Sequence, residues 1–280
     1  MIDRRQVLHS MGGLALGLAA RPVLGHPNLD LNDPTDRLTA LAKMRGSADD
    51  RLVIGWVIGT RYAVIDHQAT PMYGILAATF SQYNKISDTE YGARALEVAY
   101  FTDLDTGRLL ERWRNPFSGK MVSIPQTRMG PSTLVLTADR LRVDVPQGEA
   151  AGMQLKHRFR EPVVQGDHVW ITEEINVSAS ARNENTKPFV YNEMSTYHSL
   201  KSHLDDPDRR AVPVSVDFHG LVTFRPWMGF GDIPGHSTSR AAGRRAERIE
   251  DLPAYYLELT EQHHPDVLNN PLALLNADAD

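Results

Sequence analysis

The chain has no cysteine. That excludes disulfide cross-links, thiolate metal sites, cysteine-attached haem and a cysteine nucleophile. It also lacks an apolar run approaching the roughly 20 residues of a membrane-spanning helix; the longest, Met11 to Ala20, is too short. A Gly-x-Ser-x-Gly elbow, a His-Glu-x-x-His pair and a Gly-x-x-x-x-Gly-Lys phosphate loop are all missing. An excess of basic charge is missing too. The formal net charge of −5 makes nucleic acid and anionic membrane surfaces poor partners.

At the N-terminus, Asp3-Arg4-Arg5-Gln6-Val7-Leu8 precedes the apolar run, and Arg21-Pro22-Val23-Leu24 follows it. Paired arginines, a short apolar core and small residues near a cleavage site resemble a twin-arginine export signal. Gly12, Gly13 and Gly17 argue against a buried amphipathic helix here. The expectation is cleavage after Ala20 or Gly25, engagement of the twin-arginine translocation machinery, and a periplasmic or secreted product without stable membrane insertion. Residues 1–25 carry three arginines and one aspartate, so their removal takes the net charge to −7 and leaves 255 residues. That length suffices for one large domain stabilised by an ordinary core.

Residues 26–50 read as a polar extension with a short helix over 36–44. Beyond it, period-2 alternation dominates: Leu141, Val143 and Val145; Met153, Leu155, His157 and Phe159; Val169, Ile171, Glu173, Ile175 and Val177. Further strands are expected over 51–58, 61–66, 73–80, 94–102, 108–114, 120–124, 132–137, 188–198 and 213–224. Turn-forming stretches at 103–107, 115–119 and 165–167 separate successive strands, as in hairpins. The expected fold is mainly β: an antiparallel barrel-like or strongly curved sheet with a few short helices, in one domain over 51–270. The charged stretch 240–251 reads as a solvated loop, 251–263 as a helix, and 271–280 as a tail whose end is frayed and acidic.

Polar residues in apolar registers are the candidate site. If a tight turn occupies 164–166, opposed residues sum to 330 and His157 faces Glu173. Directly opposed Cβ atoms lie about 4.5–5.5 Å apart, so the carboxylate could orient the imidazole as a general base. A satisfied core pair is the alternative. Phe189, Tyr191, Glu193, Ser195 and Tyr197 share one face of the next strand, and its direction is open. The Pro- and Gly-rich segment from Arg225 to His236 carries Trp227, Met228 and Phe230, which could close a cavity mouth. In this reading His157, Glu173, Glu193 and His236 are catalytic candidates, and Tyr191, Tyr197, Trp227 and Met228 contact ligand. Metal sites need three or four converging ligands. The eleven histidines show no such spacing, with His198, His203, Asp205 and Asp206 only a loose cluster, so no metal or other cofactor is expected.

Thr106-Gly107, Leu110, Trp113, Asn115-Pro116 and Ser118-Gly119 follow the spacing Thr-Gly-x-x-Leu-x-x-Trp-x-Asn-Pro-x-Thr-Gly, with serine for the first residue of the last pair. This stretch resembles the DUF1838 family, as do Tyr191-x-Glu193 and the segment 227–236. The resemblance covers roughly 35–270 and implies no assigned activity or catalytic residue. The residues themselves favour a barrel that binds a small apolar or aromatic molecule, with metal-independent acid/base chemistry of isomerase, lyase or hydrolase type. A non-catalytic carrier and a metalloenzyme remain alternatives.

Overall fold

The computed structural model describes residues 28–144, 153–179 and 188–277. The expected export segment lies outside the described residues, as does the end of the expected acidic tail.

The first element, α1 (Pro34–Arg45), is set by its cap: the Asp33 side chain accepts the Thr35 and Asp36 amides at 2.9 and 3.1 Å, and proline occupies the first turn. Strands β1 (Leu52–Ile65), β2 (Gln68–Lys85) and β3 (Tyr91–Thr102) follow as a long meander. A small hairpin, β4 (Arg112–Arg114) and β5 (Met121–Ser123), stands apart from the main sheet. Then come β6 (Thr127–Leu136), β7 (Leu141–Asp144), β8 (Met153–Phe159), β9 (Val163–Gln165), β10 (His168–Ala179) and β11 (Phe189–Leu200). The chain ends with α2 (Lys201–Asp205), β12 (Ser215–Thr223), β13 (His236–Ala246), α3 (Ala254–His263), α4 (Pro265–Asn269) and α5 (Pro271–Asn276).

The antiparallel strands run in the order β7-β6-β3-β2-β1-β13-β12-β11-β10-β8, with β9 extending the β10 edge. This sheet curls until its two ends meet. At the seam, the Phe159 amide donates to the Asp139 carbonyl at 2.8 Å, and the Leu141 amide donates to His157 Nδ1 at 2.8 Å. The result is a nearly closed barrel, as the many short strands foretold.

Three apolar clusters organise it. Inside one end, α1 packs Leu38, Leu41 and Met44 against Tyr83, Leu136, Val169 and Ile171. Inside the other, Tyr73, Phe101, Met228 and Phe230 close the barrel together with Trp113 and Trp227. Outside, the helices α3 to α5 cover β2 and β3 through Tyr256, Leu259, Val267 and Leu275 on Phe80, Leu96 and Tyr100. Coverage on both faces explains why β2 and β3 read as continuous apolar runs, whereas β10 alternates.

Several boundaries differ from expectation. The segments 51–58 and 61–66 form the single strand β1, which bulges at Arg61/Tyr62 opposite β2. Within 108–114, only 112–114 is strand, preceded by a bridge from Leu109 to Thr102. Much of the expected loop 240–251 is β13, hydrogen-bonded on both sides by β1 and β12. Its serines, alanines and arginines have little β-propensity, and pairing with neighbours decides its conformation. Backbone approach there is so close that a Cβ on Gly243 would lie 1.8 Å from the Trp56 carbonyl oxygen. The expected tail from 271 begins instead with α5, whose Leu275 is fully buried and accepts at its carbonyl from Arg94.

Within the expected N-terminal extension, α1 is an internal plug. Arg245 holds the end of α1 by donating to the carbonyls of Lys43, Met44 and Gly46 at 3.2, 3.0 and 2.7 Å. A cation at those carbonyls complements the helix dipole. Leu41→Ala, which empties a fully buried position of this plug, should cost about 3 kcal/mol in urea unfolding. A loss below about 1 kcal/mol would mean that the end of the barrel collapses around the smaller side chain.

Candidate functional site

On the inner wall, β10 presents Val169, Ile171, Glu173, Ile175 and Val177, and β8 presents Leu155, His157 and Phe159. Their register differs from the expected one. His157 is opposite Ile175 and Glu173 opposite Phe159, so paired residues sum to 332. The turn at Gly166 pairs Gln165 with His168, an odd sum that would have turned His157 away; a one-residue irregularity between β8 and β9 restores the parity. His157 and Glu173 therefore share a face as diagonal neighbours and still meet, with Nε2 and Oε1 2.6 Å apart.

Glu173 is 1% exposed and surrounded by partners. Tyr197 donates to Oε2 at 2.9 Å, and Arg45 Nε, from the last turn of α1, stands 3.0 Å from the same oxygen. Burial alone would raise the Glu173 pKa. The guanidinium and the hydrogen bonds outweigh it and hold the carboxyl below the usual range. Burial likewise pushes the Tyr197 hydroxyl well up, keeping it a proton donor.

The arrangement fixes the His157 tautomer. Nδ1 accepts the Leu141 amide, so the ring proton sits on Nε2 and is donated to Glu173. Both nitrogens are occupied, and the ring is left no free position from which to take a substrate proton. Geometrically it is a bridge: it closes the barrel seam on one side and donates to a buried acceptor on the other.

A second inward group lies between the two end plugs. Along β11, the odd-numbered residues face inward. Glu193 accepts the Tyr191 hydroxyl in a short hydrogen bond and the Ser195 hydroxyl at 3.1 Å. Glu97, midway along β3 on the same face as Ala95 and Ala99, belongs to this group, and sequence reasoning missed it. Among the described residues nothing hydrogen-bonds its carboxyl. Burial, reinforced by the Glu193 charge, pushes its pKa up to about 7. Burial raises the Glu193 pKa as well, with Glu173 adding to the rise and the Tyr191 and Ser195 hydrogen bonds opposing it.

These carboxyls border an internal space. Glu97, Tyr191, Glu193, Val57, Thr79 and Phe218 all face inward yet keep partial exposure. A Cβ built on inward-facing Gly55 would meet nothing within 4 Å. Met129, opposite Glu97, and Leu155, opposite Val177, lie on the inner face and are 52% and 39% exposed. A separate open cleft of about 230 Å³ on the surface, between Pro34, Glu90 and Asp139, contains none of the expected site residues.

The remaining candidates divide. Tyr191 and Tyr197 join the two inner networks. Trp227 and Met228 belong to the aromatic plug: Met228 is fully buried, and Trp227 packs 6.3 Å from Tyr73 and 6.0 Å from Phe101. Asn115 ties this plug together, donating to the Met228 carbonyl at 2.9 Å while its Oδ1 caps the Phe117 and Ser118 amides. His236 is the first residue of β13 and takes the face opposite buried Ser237, so strand alternation carries it away from the inner wall. Among the described residues no set of three His, Asp or Glu side chains is placed to hold a metal ion. His198 pairs instead with His168 at 2.9 Å on the outer face.

The family model of DUF1838, described as a protein of unknown function, matches residues 50–279. The chain belongs to the DUF1838 family. No curated protein matches it. The DUF1838 match spans every strand of the barrel and the helices packed outside it; α1, the inner plug, lies just before it. Within the chain, the stretch 106–119 supplies β4 and the turn of the hairpin beside the aromatic plug, and Tyr191-x-Glu193 belongs to the inner carboxyl network.

Two outcomes follow. His157→Ala leaves the Leu141 amide unpaired and Glu173 short of a donor, and should cost about 3 kcal/mol in chemical denaturation; a neutral result would mean the seam closes without it. Glu97 titrates with the opposite sign to Glu173. Its raised pKa means the folded state holds its proton longer, so its contribution to stability is complete below about pH 4.5 and is lost as pH rises through about 7. The stability advantage of Glu97→Gln over the native chain should grow across that window, to on the order of 3 kcal/mol. A gap independent of pH would show that Glu97 is solvated like a surface carboxylate.

Proposed function

We propose that the barrel binds a small, largely apolar or aromatic molecule in the space between its two plugs, and that Glu97 and Glu193 act on it as an acid/base pair. The observation that carries this reading is Glu97: a desolvated carboxyl without a hydrogen-bond partner, beside a second carboxyl held by two hydroxyl donors. Such a pair shares its protons unequally. Glu193, with Tyr191 and Ser195 donating to it, is the better anion; Glu97 keeps the proton. One group is thus a base and the other an acid near neutral pH.

Enolisation of a carbonyl compound suits this pair. Glu193 takes a proton from the carbon beside the carbonyl, and Glu97 gives its own proton to the carbonyl oxygen. In a β,γ-unsaturated carbonyl compound, Glu193 then returns its proton to the far carbon of the dienol while the enol hydroxyl gives its proton back to Glu97, which completes an isomerisation with no oxidant or reductant needed. Hydrolytic and lyase reactions use the same two transfers. His157 and Glu173 then serve as supports that hold the wall and the plug. The exposed inward side chains of Met129 and Leu155 suit entry of an apolar body. The N-terminal arginine pair supports our reading of a periplasmic or secreted protein, exported by the twin-arginine machinery and working without a metal.

A carrier is the second reading, and the packed clusters closing both ends favour it, because they suit retention of a ligand. Solvent-deuterium incorporation into a panel of small aryl and alkyl ketones, followed by NMR, separates the two. Acid/base action predicts exchange that falls about 100-fold or more in folded Glu97→Gln and Glu193→Gln variants. Exchange that persists in both variants would refute the pair, and ligand binding without exchange would identify a carrier.

A further inference from the structure

The inner carboxyls are not the only charged groups at the chamber. Arg61 projects inward from β1 at the bulge, with Tyr73 its cross-strand partner on β2. Arg61 Nε is buried without a hydrogen-bond partner, and so is the hydroxyl of Tyr73, a residue with no exposed surface. Arg225 stands at the rim, its guanidinium 4.1 Å from the centre of the Phe189 ring. Among the described residues neither arginine has a carboxylate partner, although Glu97 and Glu193 lie in the same chamber.

Orphaned donors of this kind are rare in a folded interior, because each loses its water without replacement. A guanidinium presents several donors in a planar fork suited to an oxyanion. Two arginines on one side of a chamber also repel each other. After burial, the nearby Arg61 charge is the next largest cause depressing the Arg225 pKa. An anion between them would remove that repulsion and satisfy the Arg61 and Tyr73 donors together.

We infer that the chamber's ligand carries an anionic oxyanion group, a carboxylate or phosphate, that seats on Arg61 and Tyr73 with Arg225 at the rim. This rests on the reading of the chamber as a ligand site and names the class of molecule it takes: a small acid with an apolar or aromatic body. The head group lies toward the aromatic plug built by Tyr73, Phe101 and Trp227. The body extends toward Glu97 and Glu193, which places the carbon atoms of the ligand, and not its anionic end, beside the acid/base pair. Repulsion from Glu193 enforces that orientation.

Titration calorimetry with benzoate, phenyl phosphate and uncharged benzamide tests the idea on the full chain. The anionic probes should bind about ten-fold or more tighter than benzamide, and the tighter of the two identifies the head group. Arg61→Met should abolish that preference while benzamide still binds. Tyr73→Phe, which keeps the ring and its packing, should weaken the anionic probes alone. Gly55→Leu fills the open space and should block all three. Equal binding of benzamide and benzoate, unaffected by Arg61→Met, would overturn the anionic class and leave the chamber standing. Benzoate binding that survives Gly55→Leu would overturn the chamber itself, and no binding of any probe to the native chain would overturn both.

Discussion

A buried carboxylate organises this fold. Removing the Glu173 charge from water is costly, and the attraction of one partner would not offset it. The chain answers with three: the His157 ring, the Tyr197 hydroxyl and the Arg45 guanidinium. Each comes from a different part of the molecule. His157 sits on the last strand of the sheet and reaches the opposite edge through the Leu141 amide. Tyr197 belongs to the neighbouring strand. Arg45 ends the helix that plugs the barrel. Satisfying one anion therefore closes the seam, fixes a tautomer and docks α1 in a single arrangement.

The other carboxyl shows the contrast. Glu97 has the same chemistry, keeps partial exposure to the interior, and has none of the donors. A carboxyl left without a donor, in the same barrel as one that has three, is the departure expected of a working site, where local stability yields to function. The unpaired Nε of Arg61 and hydroxyl of Tyr73 are departures of the same kind, on the wall leading to the aromatic plug. Between two well-packed ends, the barrel keeps a middle layer in which Glu193 is held by Tyr191 and Ser195 while Glu97 faces the space inside.

Much of the architecture was legible from alternation and turn chemistry. Strands such as β8 and β10 alternate cleanly because one face is covered and the other is wet, whereas β11 mixes polar and apolar residues on both faces and its direction was open. The His157–Glu173 contact was legible as well, although its stated register was two residues off; an even shift leaves both side chains on one face, and an odd shift would have separated them. The strand β13 was hidden, because small and charged residues carry no alternation signal and its conformation comes from two neighbours distant in the chain. Glu97 could have been suspected: it is the one acid in a strand that is otherwise apolar on both faces from Leu96 to Phe101. Arg45 and Arg61 gave no such sign, since a basic residue ending a helix or interrupting a strand is ordinarily solvated.

By itself, then, the order of residues determined the secondary structure of most of the wall, its two-faced character and the presence of acids in apolar registers. These are properties of neighbours a few positions apart. Only tertiary structure decided which acid is neutralised and which is left exposed to the chamber. That choice depends on which donors arrive from remote strands and from α1, and so on closure of the barrel. The preference of a buried charge for a partner is local physics; the identity of the partner belongs to the fold.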